Sequence, residues 1–256
     1  MTEVASIGGS GLTSLKGLEI VRREVVSTPY GEPSGPLIHG VYAERSVLFL
    51  ARHGYGSTIP PHRVNYQANL WALHSRGAGN LVAVNAVGGI RAELGPGRLV
   101  VPDQLIDYTW GRGHTFFGEG LERVVHVDFT RPYCEDLRRR LLEGARAAGL
   151  DVADGATYGA TQGPRLETAR EIDRLERDGC DLVGMTGMPE AALARELDIC
   201  YASVAVVANA AAGRGEGDIT MAEIQANLDQ GMADVRRLLE STIPLIDPAP
   251  RTEQQR

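Results

Sequence analysis

Apolar residues in this chain collect in short runs, separated by longer stretches whose apolar positions recur with helical spacing. Val4-Ala5-Ser6-Ile7, Val47-Leu48-Phe49-Leu50-Ala51, Leu81-Val82-Ala83-Val84 and the strand 201–208, with its run Ser203-Val204-Ala205-Val206-Val207-Ala208, predict strands buried on both faces. The segment 38–42 is expected to pair with the second of these. Helices are predicted over 65–76, 132–148, 167–178, 189–196 and 220–241, with Pro189 suited to a first turn. Strands alternating with helices predict an α/β fold, a three-layer α/β/α sandwich around a mixed, largely parallel sheet. No repeat, low-complexity segment or linker interrupts the pattern. One domain is therefore expected over 1–246, followed by a frayed tail at 247–256.

With 256 residues, 43% of them hydrophobic, the chain can bury a sizeable core. A net charge of −7 argues against a basic nucleic-acid-binding face. The chain starts without the basic and apolar regions of a signal peptide, and no apolar stretch reaches membrane-spanning length, so a cytoplasmic protein is expected. Cys134, Cys180 and Cys200 form no CxxC pair, and their odd number suits a reducing compartment.

Candidate chemistry gathers where the strands end. Asn209 closes the last apolar run, and carboxyl ends of buried strands face the ligand crevice in open α/β sheets. An amide there both donates and accepts, so it can bind a carbonyl that a carboxylate would repel. Gly8-Gly9-Ser10-Gly11 offers backbone N–H groups and a hydroxyl to an anion, or is simply a turn. It lacks the Lys of a phosphate-binding P-loop and the third Gly of a dinucleotide fingerprint, which disfavours a dehydrogenase. Arg52 and His53 follow the second apolar run and could fork onto a phosphate. Asn85-Ala86-Val87-Gly88-Gly89 reads as a small-residue turn that a ligand could approach closely. Thr186 either caps the following helix or holds an anion, and Met185 beside it reads as core. Glu167 either complements a helix dipole or accepts from a heterocycle N–H.

Taken together, Ile7-Gly8-Gly9-Ser10-Gly11-Leu12, Arg52-His53-Gly54, the run Pro61 to Asn69, Asn85-Ala86-Val87-Gly88-Gly89-Ile90, Gln162-Gly163-Pro164-Arg165, Gly184 to Glu190 and Cys200-Tyr201-Ala202-Ser203 resemble the trimeric purine nucleoside and methylthioadenosine phosphorylases, over roughly residues 5 to 246. The resemblance implies phosphorolysis of a purine nucleoside to free base and a ribose 1-phosphate. It implies that Ser10, Arg52, His53, Asn85, Ala86 and Thr186 bind phosphate and that Met185 lies under the ribose. His126 would reach a neighbouring subunit's pocket, hence a homotrimer. Neither metal nor organic cofactor is implied, phosphate being a co-substrate. Holding that phosphate under the anomeric carbon and hydrogen-bonding the departing base suffice for the chemistry.

In the adenine-specific branch the last strand ends in two carboxylates, where this chain has Asn209 and Ala211. A 6-oxo group needs a donor, which Asn209 supplies, and N1–H of such a base suits Glu167. Sites built on hydrogen bonds discriminate by about 10⁴ or more. A 6-oxopurine is therefore expected. Met221 and Ile224 match apolar positions of a 5′-methylthio pocket, although both could simply face the core. S-methyl-5′-thioinosine is the expected substrate, with general inosine/guanosine phosphorolysis as the alternative and methylthioadenosine less favoured. Ser57 and Leu166 depart from the family, which often has His and an aromatic residue there. A non-catalytic nucleoside-binding module would share these residues but release no base.

Overall fold

The computed structural model describes residues 3–12, 14–118 and 123–247. Most of the expected tail, 248–256, lies outside the described residues. Asp247 does not fray: its carboxylate meets Arg140 Nη2 at 2.8 Å and its carbonyl accepts from Asn80 Nδ2.

The strands are β1 (Glu3–Gly8), β2 (Glu19–Glu24), β3 (Leu37–Tyr42), β4 (Arg45–Ala51), β5 (Ala78–Gly89), β6 (Leu99–Val101), β7 (Gln104–Asp107), β8 (Val152–Asp154), β9 (Thr157–Ala160), β10 (Leu182–Gly184) and β11 (Cys200–Ala210). The helices are α1 (Tyr66–Ser75), α2 (Glu135–Ala147), α3 (Ala169–Arg177), α4 (Glu190–Glu196) and α5 (Met221–Thr242). All the strands join one mixed sheet, in the order β2-β3-β4-β1-β5-β10-β9-β7, while β11 pairs with β5 and carries β6 and β8 beyond it.

Strand alternation divides the core into two layers. On β11, Ala202, Val204 and Val206 pack with Leu137 and Leu141 of α2 and Leu228, Met232, Val235 and Leu239 of α5. Tyr201, Ala205 and Val207 belong to the opposite face, with Leu70 and Leu73 of α1 and Leu193 of α4. The fold is thus the expected three-layer α/β/α sandwich, and the period of two along β11 produces it.

Several expectations need correction. The small-residue segment Asn85–Gly89 is not a turn but the second half of β5, and β11 runs past Asn209 to Ala210. The reason lies in pairing. Gly88 and Gly89 pair with Val183 and Leu182 on one side and with Asn209 and Ala210 on the other. A register shift between Val207 and Asn209 marks a bulge there, which re-aims the side chain. The segment 167–178 begins as helix only at Ala169, because Thr168 and Glu171 form a capping box and leave Glu167 outside. β2 and the short strands β6 to β10 carry no long apolar run, and so had no sequence signal. The cysteines also differ from expectation: Cys134 and Cys200 form a disulfide with Cα atoms 5.2 Å apart, tying the start of α2 to the start of β11, and only Cys180 is free. Their separation of 66 residues hid a pairing that only the fold creates.

α2 and α5 cross at Gly144, where a Cβ would collide with Thr242 Oγ1 and stand 2.9 Å from Thr242 Cα. Gly144→Ala should therefore lower stability even though alanine favours helix by about 1 kcal/mol, since overpacking costs roughly 1–3 kcal/mol. Urea denaturation should show a lower midpoint; an unchanged or higher one would mean the crossing can open freely.

Candidate active site

β5 builds the crevice by changing neighbours. Its first half pairs with β1 as far as Ala83, and its end pairs with β10 from Gly88. Between them Val84 to Val87 keep only β11 beside them, and chain turns enter the opening from β1, β4 and β10. The resulting cavity of about 350 Å³ is lined by Gly9, Ser10, Arg52, His53, Ala86, Met185, Thr186, Glu167, Asn209, Ala211, Met221 and Ile224 among others. Gly9 is required: a Cβ there would sit 2.6 Å from the Val84 carbonyl and 2.8 Å from Arg52 Nη1.

Two of the expected residues do not line this cavity. Asn85 stands behind it. His126 lies exposed on the segment 123–128, away from the cavity within the chain.

The fork of Arg52 is not open to an anion as the sequence suggested. Arg52 is wholly buried, with Nε donating to Glu190 Oε2 at 2.6 Å, Nη2 to Oε1 at 2.7 Å and Nη1 to the Val84 carbonyl at 2.9 Å. Only the remaining Nη hydrogens can turn toward the cavity. Burial works against the charged guanidinium, but the Glu190 carboxylate outweighs it and keeps Arg52 protonated well above the ordinary arginine range. Tyr201 donates its hydroxyl to Glu190 Oε1 at 2.9 Å and satisfies the acid further.

His53 is buried as well. Its Nδ1 lies 2.8 Å from the Ile59 carbonyl, which can only accept, so Nδ1 carries the proton. Burial and the Arg52 charge push the His53 pKa down, so the ring is neutral near pH 7 and Nε2 is a bare acceptor. Thr186 does not cap α4, which begins after Pro189 with no side-chain cap. Its hydroxyl belongs instead to a relay: Ser203 Oγ donates to Asn85 Oδ1 at 2.7 Å, and Asn85 Nδ2 donates to Thr186 Oγ1 at 2.8 Å. Thr186 Oγ1 thus accepts from Asn85, and its hydroxyl also lies against the buried Tyr158 hydroxyl.

At the opposite end of the cavity, Asn209 Nδ2 donates to the Ala210 carbonyl at 2.7 Å, leaving a second N–H and Oδ1. Glu167 takes a 2.6 Å hydrogen bond from Thr161 Oγ1 on Oε1, which leaves Oε2 available. One wall there is apolar: Leu166, Ile219, Met221 and Ile224, with Met221 74% exposed at the rim and therefore not core. The arrangement suits a ligand with an anion at one end, a polar ring at the other and an apolar substituent.

Sequence reasoning missed Glu190, Tyr201, Ser203 and Thr161. Glu190 and Ser203 sit inside motifs already noted, and an acid opening a short helix beside a buried Arg was the available signal. Thr161 had none.

Known proteins resemble this chain in sequence and fold. The model of the phosphorylase superfamily matches residues 3–244. A probable S-methyl-5′-thioinosine phosphorylase of Pseudomonas syringae pv. tomato is 56% identical over 93% of this chain and 97% of its own. A 6-oxopurine nucleoside phosphorylase of Pyrococcus furiosus is 45% identical over 96% and 94%. A methylthioadenosine phosphorylase from Schistosoma mansoni, solved with adenine, superposes with a TM-score of 0.91 at 33% identity, covering 96% of this chain and 92% of that one. The chain belongs to the phosphorylase superfamily.

Glu190→Gln removes the counter-charge of a fully buried cation and should cost about 3 kcal/mol of stability, read as a lower denaturant midpoint. A wild-type midpoint would mean the pair is energetically idle. His53 has a pKa lowered on folding, so the unfolded state binds its proton more readily. Its contribution is present above the unfolded value of about 6.5 and lost as pH falls through the lower folded value. Melting between pH 8 and pH 5 should accordingly show a shallower loss of stability in His53→Gln than in wild type.

Proposed function

We propose that this phosphorylase cleaves 6-oxopurine nucleosides with inorganic phosphate, and that S-methyl-5′-thioinosine is its preferred substrate, giving hypoxanthine and 5-methylthioribose 1-phosphate. The observation that carries this reading is Asn209 and Glu167 facing one cavity, with the small Ala211 beside them. A 6-oxopurine presents an acceptor at O6 and a donor at N1. The free N–H of Asn209 matches the first and the free Oε2 of Glu167 the second, whereas adenine would set its bare N1 against a carboxylate. The names of the Pseudomonas and Pyrococcus relatives support the same base class.

In this mechanism Ser10, the Thr186 hydroxyl, the remaining Arg52 hydrogens and the backbone at Ala86 hold phosphate, with Asn85 fixing Thr186. The His53 Nε2 accepts from a protonated phosphate oxygen. Phosphate sits beneath the sugar, where Met185 also lies, and attacks the anomeric carbon as the glycosidic bond breaks. The bonding electrons pass to the purine, whose N7 takes a proton from solvent, and Asn209 Oδ1 accepts from the N7–H so formed. Phosphate supplies the nucleophile and the protein supplies position and charge, so the reading calls for no metal or organic cofactor. Met221, Ile224 and Ile219 offer the 5′-methylthio group an apolar wall, each methylene-sized contact contributing about 1 kcal/mol. His126, exposed in the single chain, completes a neighbour's pocket in a proposed homotrimer. Among the described residues no helix is long and apolar enough to cross a membrane, and a cytoplasmic setting is part of the proposal.

Steady-state rates with methylthioinosine, inosine and methylthioadenosine test the reading. Methylthioinosine should give the highest kcat/KM, by about tenfold or more over inosine. A higher value for inosine would make the enzyme a general inosine/guanosine phosphorylase. Asn209→Asp should lower kcat/KM for methylthioinosine by about 10- to 100-fold and narrow the gap to the 6-amino substrate, with Glu167 limiting the gain. Full methylthioinosine activity in that variant would remove Asn209 from base selection.

A further inference from the structure

Arg112 lies outside the cavity lining, yet it touches both halves of the machinery that surrounds it. Its Nη1 donates to the Met185 carbonyl at 2.8 Å and the Met188 carbonyl at 2.5 Å, the two ends of the segment that carries Thr186. Its Nη2 donates to the Gln162 carbonyl at 2.9 Å and the Thr161 carbonyl at 3.3 Å, and Nε to Gln162 Oε1 at 3.2 Å. The Tyr66 ring lies 5.4 Å beneath the guanidinium. Among the described residues no carboxylate pairs with it, so its charge is spread over neutral carbonyls that belong to two different loops. Those loops lead to opposite ends of the proposed substrate. Thr186 accepts from Asn85 at the phosphate end, and Thr161 holds Glu167 at the base end.

We propose that Arg112 is a positioning residue that locks the phosphate loop to the purine loop, so that binding at one end of the cavity strengthens binding at the other. The two loops hold different N–H groups of one rigid guanidinium, so a loop that moves and draws the fork with it disturbs the bonds to the other. A ligand that orders one loop therefore lowers the cost of ordering the second, and the coupling is reciprocal. A planar fork reaches two loops at once, while an ammonium is a single compact charge. This inference rests on the phosphorolytic reading above.

Hypoxanthine binding measured by calorimetry with and without inorganic phosphate tests it. In the wild type, phosphate should tighten hypoxanthine about fivefold or more. Arg112→Met should bring that ratio close to one and raise KM for both phosphate and nucleoside. Arg112→Lys, which keeps the charge and guards against a folding failure of the first variant, should restore less than half of the coupling; thermal melting identifies the folded variants. A folded variant that keeps the wild-type ratio, or a wild type that binds hypoxanthine equally with and without phosphate, overturns the inference alone. A wild type that neither binds hypoxanthine nor releases it from either inosine substrate overturns the functional reading, and this inference with it.

Discussion

Neither side chain of the Arg52–Glu190 ion pair touches solvent, so geometry has to offset the desolvation of two charges. It does so with two parallel N–H···O bonds, a third bond to the Val84 carbonyl and a tyrosine hydroxyl on the carboxylate. Those contacts bind the end of β4, the middle of β5, the start of α4 and β11 to one point. The same point is where β5 stands between its two neighbours and the crevice opens. A site floor made of this charge pair cannot shift without leaving a buried ion unpaired, which makes it rigid before any ligand arrives. Arg52 accordingly acts less as an open fork than as a fixed donor, offering the cavity only the N–H groups that Glu190 and Val84 leave over.

The two ends of the cavity are held by different means. At the proposed phosphate end, the sheet itself carries the groups: Ser203 and Asn85 lie on adjacent central strands and aim Thr186 through a relay of hydrogen bonds. At the proposed base end, Glu167 stands outside its helix and relies on Thr161, while Asn209 leans on its own neighbouring carbonyl. Rigid strands suit a co-substrate of invariant shape. Loops and a bulge suit the part of the ligand on which specificity turns, because small changes there alter recognition and leave the sheet intact.

Sequence legibility followed the strength of the local signal. Apolar runs at 4–7, 47–51, 81–84 and 203–208 were each strands, since a residue buried on both faces leaves an unbroken hydrophobic pattern. The short strands from β6 to β10 were invisible, as three or four residues carry no periodicity. Asn209 was legible as a residue facing the crevice from its place after such a run, but the strand's continuation past it was not, because alanine and glycine are both poor strand formers. Thr186 read first as a helix cap, with an anion-binding hydroxyl as the alternative. Only the fold brings Asn85 to its oxygen and shows that Oγ1 accepts there.

The amino-acid sequence by itself determined the alternation of strands and helices, hence the layered fold, and placed polar groups at strand ends, because both follow from residue order over a few positions. Its motifs also sufficed for the family. Tertiary structure decided what no local pattern encodes: that Glu190 neutralises Arg52 across 138 residues, that Ser203 orients Asn85 across 118, and that Cys134 meets Cys200. Each of these depends on which strands become neighbours in the sheet. That neighbour order is settled by burying the whole apolar surface at once, and no stretch of chain specifies it alone.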